Sequence, residues 1–172
     1  VEAMTMSDRI AVMMGGEILQ CAAPDIIYED PEDIRVAEFI GSPKINILPL
    51  EHTVNGLQLF GRSLNWHLPN EGPQVMQLGL RPEALRLTHK SPILTGRVAH
   101  FENLGSEVFA QIALDGEATR VTLRATPAER QMLGLGAEVG LGFNTTSALV
   151  FNHAGKRLRK VEACAGMTSE VA

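Results

Sequence analysis

Leu78-Gly79-Leu80-Arg81-Pro82-Glu83 ends an apolar run and forces the chain to turn. Pro82 cannot donate to a sheet ladder, and it holds the preceding Arg81 in an extended conformation. A strand therefore closes at Leu80. Arg81 and Glu83 then stand on either side of a rigid bend, placed to fix a barrel corner by charge-assisted hydrogen bonds to backbone or to each other. Direct contact of this pair with a ligand is the lesser reading.

Short strands flank the bend on both sides. Leu50 to Val54 and Leu57 to Phe60 bracket Asn55-Gly56, the strongest short hairpin signal. Ser63 to His67 and Val75 to Leu80 bracket a polar loop with Pro69, Gly72 and Pro73. Leu94 to Asn103 runs into Gly105-Ser106, after which Val108, Ala110, Ile112 and Leu114 alternate along one face. Asp115-Gly116 turns back into Ala118 to Leu123; Val139, Leu141 and Phe143 alternate with Gly140 and Gly142, and Leu149 to Phe151 closes the set. One helix is predicted among them, with Thr126 as N-cap, Pro127 first, Glu129 completing a capping box and Gly134 as the stop. About seven or eight short strands at close spacing mean a barrel or sandwich. The two strand sets are candidates for two small barrels of similar plan.

Upstream the pattern differs. Arg9 to Met14 and Glu17 to Ala22 flank Gly15-Gly16 and read as a hairpin. Pro24 opens a helical stretch through Ile26, Ile27 and Tyr28. Asp30 as N-cap and Pro31 at the first helical position predict a second helix, with Ile34, Val36, Ala37 and Ile40 giving its apolar face and Gly41 and Pro43 ending it. Ile10 to Met13 has apolar residues in succession, as in a strand covered on both faces. A unit of about forty residues buries too little surface to fold alone without disulfides or metal.

Composition bounds the function. The 172 residues are 45% apolar and 20% charged, ordinary for a globular chain. A net charge of -5, with 5% aromatics, argues against nucleic acid, which wants clustered cations and stacking platforms. The basic run Lys156-Arg157-Leu158-Arg159-Lys160 reads as a solvated tail after the last strand. Cys21 and Cys164 lie far apart without ligand spacing and read as reduced thiols of a cytosolic protein. No apolar run approaches the roughly 18 residues of a membrane span, and there is no signal peptide. Val1 opens into what reads as mid-domain sequence, the expectation being a truncated product or a cut piece.

No catalytic constellation stands out. Gly134-Leu135-Gly136 follows a predicted helix and Gly140-Leu141-Gly142 lies in a strand, the reverse of a phosphate loop leading into a helix. His52, His67, His89, His100 and His153 never fall within four residues of one another, so no local metal pair arises. No Gly-x-Ser-x-Gly elbow is present. The paired acids Glu29-Asp30 and Glu32-Asp33 suit helix starts.

Three runs in order carry a resemblance: Glu2-Ala3-Met4-Thr5 with Asp8-Arg9-Ile10; Phe39-Ile40-Gly41-Ser42-Pro43 with Asn46; and Gly79, Arg81, Pro82 and Glu83. Together they resemble the carboxy-terminal half of the ATPase subunit of an ABC-type importer of the maltose and glycerol-3-phosphate class. The resemblance implies a mainly β chain: an OB-fold-like (TOBE/MOP-like) regulatory barrel over 43–160, a small incomplete α/β edge of the ATPase domain over 1–42, and a disordered tail over 161–172. It implies that Asp8 and Arg9 follow the switch histidine and that Phe39, Gly41, Ser42, Pro43 and Asn46 form the hinge into the barrel. Lys44-Ile45 departs from the family, which commonly has a small residue and Met before the Asn. No catalytic, ATP-binding or metal residue is expected in this chain, and no cofactor; ATP and magnesium belong to the intact subunit. Implied partners are a second copy through the barrel, transmembrane permease subunits through the ATPase domain, and an inhibitory regulatory protein, with no nucleic acid. The implied location is cytoplasmic, peripheral to the inner membrane. The alternative is a barrel that senses an oxyanion such as molybdate.

Overall fold

A computed structural model describes Met6 and residues 8–69, 71–72, 74–159 and 161–163. The Glu2 to Thr5 run, Pro73, Lys160 and Cys164 lie outside the described residues, as does most of the expected tail.

The chain opens with a hairpin, β1 Ile10–Met14 and β2 Glu17–Ala22, followed by α1 Pro24–Glu29 and α2 Ile34–Phe39. Val12 is buried with Ile27, Val36 and Ile40, so the helices cover one face of the hairpin. The other face is open: Met13 and Ile18 are opposite partners in the ladder, and both are exposed. Among the described residues nothing covers that second face, so the apolar succession of β1 leaves Met13 exposed. The second helix also starts later than expected. Asp33, not Asp30, is its N-cap and accepts from the Arg35 amide at 2.9 Å; Asp30 instead ends α1.

From Asn46 the elements are strands joined by loops and short 3₁₀ turns: β3 Asn46–Thr53, β4 Gly56–Leu59, β5 Arg62–Ser63, β6 Trp66–His67, β7 Gln74–Leu80, β8 Arg86–Leu87, β9 Leu94–Asn103, β10 Val108–Leu114, β11 Arg120–Ala125, β12 Glu138–Gly142, β13 Ala148–Phe151, β14 Arg157–Leu158 and β15 Glu162–Ala163. Six pair in the order β14-β13-β7-β3-β4-β5 and five in the order β11-β10-β9-β12-β8; β15 pairs with β6. Both larger sheets are antiparallel throughout. Alternation puts Leu48, Leu50, Met76, Leu78 and Leu80 of one sheet against Val98, Ala110, Ile112, Val121 and Leu123 of the other in one continuous core. The two strand sets are thus the halves of a single barrel, not two barrels. Trp66 meets Phe143 edge to face, ring centroids 5.6 Å apart, tying β6 to the end of β12.

Two local expectations give way. Asn65 takes a positive φ of 52°, which splits the strand expected over Ser63 to His67 into β5 and β6. The helix expected after Thr126 is only a 3₁₀ turn, Glu129–Met132. Only half of the expected capping box forms, Glu129 accepting from the Thr126 amide at 2.8 Å; the turn's N-cap is Ala128, without a side-chain cap, and the segment ends within one turn. Gly140 serves packing: an added Cβ would lie 2.4 Å from the Thr88 carbonyl oxygen. Residues 161–163, assigned to a disordered tail, include β15.

Candidate functional site

The bend after β7 is where the amino-terminal segment meets the barrel. Arg81 is extended, as Pro82 requires, and Pro82–Ala84 form a 3₁₀ turn. The Arg81 side chain points away from the barrel core and is 6% exposed. Its Nη1 donates to the carbonyls of Ala37, at 3.0 Å, and Ile40; its Nη2 donates to the carbonyl of Tyr28 at 3.0 Å. These carbonyls lie in or just after the last turns of α1 and α2, where helices leave acceptors unpaired and favour a cation. One guanidinium thus caps two helix ends.

Tyr28 completes the arrangement. The Arg81 guanidinium lies 4.1 Å over the centroid of its ring, and its hydroxyl donates to Glu83. Burial, then the hydrogen bond and charge of Glu83, push the Tyr28 pKa up to about 12. Burial pulls Arg81 down from the ordinary arginine value. The sequence left open whether Arg81 and Glu83 bond to each other or to backbone. Arg81 bonds to backbone carbonyls, not to Glu83, which takes the tyrosine. Gly41 is shaped by this contact. Its φ is 111°, and a Cβ there would lie 2.9 Å from Arg81 Nη1.

The other hinge residues divide. Asn46 is buried and joins the two sheets: its Nδ2 donates to the carbonyls of Leu80 and Thr122, and its Oδ1 accepts from the Thr122 amide at 2.7 Å. The side chain therefore pairs with the peptide groups of edge strand β11 as a neighbouring strand would. Gly79 leaves room for a second apolar contact, since an added Cβ would lie 2.9 Å from Ile45 Cδ1 and 3.2 Å from the Phe151 ring. There Ala37 of α2 packs with Ile45, Leu149 and Phe151. Phe39 is 67% exposed and takes no part. Ser42 is exposed and precedes a cis peptide bond to Pro43. Arg9 donates to the Cys21 carbonyl within the hairpin, and Asp8 is exposed. Arg81, Pro82, Glu83 and Gly41 therefore converge, while Asp8, Arg9 and Phe39 stay apart from them.

A second clasp was not legible as such. The basic run is not a solvated tail: Lys156 donates to Asp33 at 2.8 Å, and Arg159 Nε lies 3.0 and 3.1 Å from the two oxygens of Asp30. Backbone joins too, with the Ile34 amide donating to Gly155 and the Arg157 amide to Glu32. Acids read as helix-start residues thus meet cations more than a hundred positions later, a pairing no local pattern encodes. Asp33 is 1% exposed. The hydrogen bond from Arg35, helped by Lys156 and opposed by burial, holds its carboxyl far below the usual 3.8.

A depressed folded-state pKa stabilises above the unfolded value and fades as pH falls through it. Stability should therefore be intact at neutral pH and decline below about pH 4. Asp33→Asn should flatten that acid limb in a series of urea denaturations; an unchanged pH profile would contradict this role for Asp33.

The cation of the corner is spent on protein carbonyls. Among the described residues no three His, Cys, Asp or Glu side chains gather as a metal site, and no helix is long and apolar enough to cross a membrane.

The chain is similar to known proteins. The TOBE domain profile matches residues 78–151, from the strand before the bend to the end of β13. The alpha-glucoside transport ATP-binding protein AglK of Rhizobium meliloti is 40% identical over 114 residues, 61% of this chain and 32% of that protein. The sn-glycerol-3-phosphate import ATP-binding protein UgpC of Psychromonas ingrahamii is 40% identical over 109 residues, 63% of this chain and 29% of its own length. The maltose/maltodextrin import ATP-binding protein MalK of Salmonella typhimurium is 35% identical over 172 residues, 94% of this chain and 46% of the relative. The chain spans about half the length of these relatives or less. A solved structure of the cytoplasmic molybdate-binding protein ModG, with molybdate bound, aligns with a TM-score of 0.46 and 16% identity over 61% of this chain and 94% of that one. A likeness that loose carries no argument.

Proposed function

Because this chain belongs with the TOBE-bearing ATP-binding subunits of ABC importers for sugars and glycerol 3-phosphate, we propose that it is the regulatory and dimer-forming portion of such a subunit. Residues up to about Ser42 are the edge of an ATPase domain, and the OB-like barrel that follows is the regulatory part. The chain itself hydrolyses no ATP. Its work is mechanical: the barrel pairs with a second copy, and the hinge carries nucleotide-dependent rotation of the ATPase domain to that pairing. Permease subunits engage the ATPase portion, so the assembled protein lies at the cytoplasmic side of the inner membrane, where an inhibitory protein can also reach it.

The observation that supports this reading is the Arg81 clasp. A guanidinium seated at the corner of the barrel holds the ends of both helices of the preceding segment, so a rotation of that segment cannot occur without pulling on β7. The open Met13 and Ile18 face of the hairpin fits a margin that continues into more protein.

Sedimentation equilibrium tests the dimer directly. The chain should associate reversibly, with a weight-average mass rising toward twice 18.6 kDa as concentration increases. A strict monomer at high concentration would remove the dimer-forming role. Turnover of ATP above background by the purified chain would overturn the assignment of hydrolysis to other residues.

A further inference from the structure

α2 is gripped at both of its ends, about 9 Å apart for a helix of six residues, and the two grips differ in kind. At the carboxy-terminal end Arg81 is buried and holds the carbonyls of Ala37, Ile40 and Tyr28. Parting there strands a buried cation and three acceptors, which is costly. Ala37 adds apolar packing with Ile45, Leu149 and Phe151.

The amino-terminal end is held by groups that stay satisfied when they separate. Lys156 donates to Asp33 at 2.8 Å, yet Lys156 is 60% exposed. Asp33 has a second cation within its own segment: Arg35 Nε and Nη2 lie 3.0 Å from its two oxygens, and the Arg35 amide donates to it at 2.9 Å. Losing Lys156 therefore leaves no orphan carboxylate. Asp30 and Arg159 are each nearly half exposed, so water can replace either one for the other. The backbone bonds here, from the Ile34 amide to Gly155 and from the Arg157 amide to Glu32, flank an isolated bridge between Asp33 and Lys156 and belong to no longer ladder.

Each side is also rigid without the other. In the facing loop, Asn152 Oδ1 accepts from the amides of Ala154 and Lys156, and the Asn152 amide donates to the Lys156 carbonyl. In the segment, buried Gln20 ties the hairpin to the link between the helices, donating to the Asp30 carbonyl at 3.2 Å and accepting from the Glu32 amide at 3.0 Å. Both pieces keep these internal bonds when the contact opens. Half-buried Ile34, packed against the Ala37 cluster, is an apolar side chain that the opening uncovers.

We infer that the amino-terminal end of α2 is a releasable charged latch, which lifts from the 152–157 loop while Arg81 stays seated as the pivot. The opening is a property of this chain alone. Its use, as a stop on rotation of the segment against the barrel, rests on the hinge reading proposed above.

Amide hydrogen exchange followed by nuclear magnetic resonance on the whole chain tests the latch. The Ile34 and Arg157 amides report its opening. The nuclear Overhauser contact between Arg81 and Tyr28, whose ring centroid lies 4.1 Å from the guanidinium carbon, reports the pivot. Raising sodium chloride from about 0.1 M to about 1 M shortens the screening length from about 10 Å to about 3 Å. That change should speed exchange at both amides about threefold. The double variant Lys156→Gln with Arg159→Gln should speed it about tenfold at low salt and abolish the salt effect. The Arg81–Tyr28 contact should persist in every case. Arg35→Gln should act the other way and slow both amides, since Asp33 then depends on Lys156 for its cation; a merely structural cluster would loosen. Exchange indifferent to salt and to the double variant would overturn the latch, and so would faster exchange in Arg35→Gln. Loss of the Arg81–Tyr28 contact together with the two amides would overturn the pivot, the segment then leaving as a whole. These outcomes are independent of dimer formation, so failure here leaves the importer reading to its own test.

Discussion

Replacing Arg81 by alanine is expected to free the segment spanning 8–42 from the barrel, at a cost of about 3–5 kcal/mol. The removed group pairs three carbonyls and covers the Tyr28 ring. Each buried carbonyl left unpaired costs about 1–3 kcal/mol. The loss is tempered because Arg81 Nε has no partner in the natural chain and burial already penalises the charge. Lysine will not restore the contact, since an ammonium cannot fork across two helix ends while lying flat on an aromatic ring. The chain carries one Tyr and one Trp, which fall on opposite sides of the contact: Tyr28 in the segment, Trp66 in the barrel core. In the natural chain their urea transitions should coincide. In Arg81→Ala the Tyr28 signal should be lost first, with Trp66 following near its original midpoint. Coincident transitions in the variant would mean that the guanidinium is not what holds the segment.

Asn46→Leu should act on the barrel instead, costing about 2–4 kcal/mol. The side chain is nearly isosteric, so the effect isolates the lost hydrogen bonds. Without the amide, the Thr122 peptide loses both its partners and Leu80 loses a donor to its carbonyl. Aspartate should be at least as harmful, because it keeps the acceptor for the Thr122 amide but turns a carboxylate toward two carbonyl oxygens. The Trp66 transition should move to lower urea in both variants with little change in its slope. A shift of less than about 1 kcal/mol would show that the two sheets hold together by core packing alone.

Much of the barrel was legible from the sequence. Where strands were long, alternation placed them well: Leu94 to Asn103 is β9. The hairpin expected at Asn55-Gly56 is present one residue earlier, with Val54 and Asn55 as the turn and Gly56 already in β4 opposite Thr53. Strands of two residues, such as β8 and β14, present no period to read. At Thr126 half of the expected capping box forms, but the 3₁₀ turn starts later, at Glu129, and only Leu133 among residues 128–135 is buried, too little apolar face to extend a helix. Asp30 and Asp33 both satisfy local rules for an N-cap; Asp33 takes the role by accepting from the Arg35 amide, while Asp30 ends α1. Of the site, the bend at Arg81-Pro82-Glu83 could be located, but its partners could not. Arg81 bonds to backbone more than forty positions upstream, and any residue type supplies a carbonyl. The cross-sheet reach of Asn46 to Thr122 is hidden for the same reason.

The claim beneath this reading is that, of the contacts joining segment and barrel, the Arg81 clasp is the one that docking cannot do without. The Asp33–Lys156 clasp is too weak to hold the segment alone, and the ionisation of Tyr28 in Arg81→Ala tests this by sign. In the natural chain the phenol should titrate near 12 instead of the ordinary 10.0, read from ultraviolet absorbance. Arg81 by itself favours the phenolate, so if the segment stayed docked, losing the cation would drive the pKa higher still. The account predicts the opposite: with the segment released, burial and the Glu83 bond vanish and Tyr28 titrates near 10.0. A value at or above that of the natural chain would contradict it.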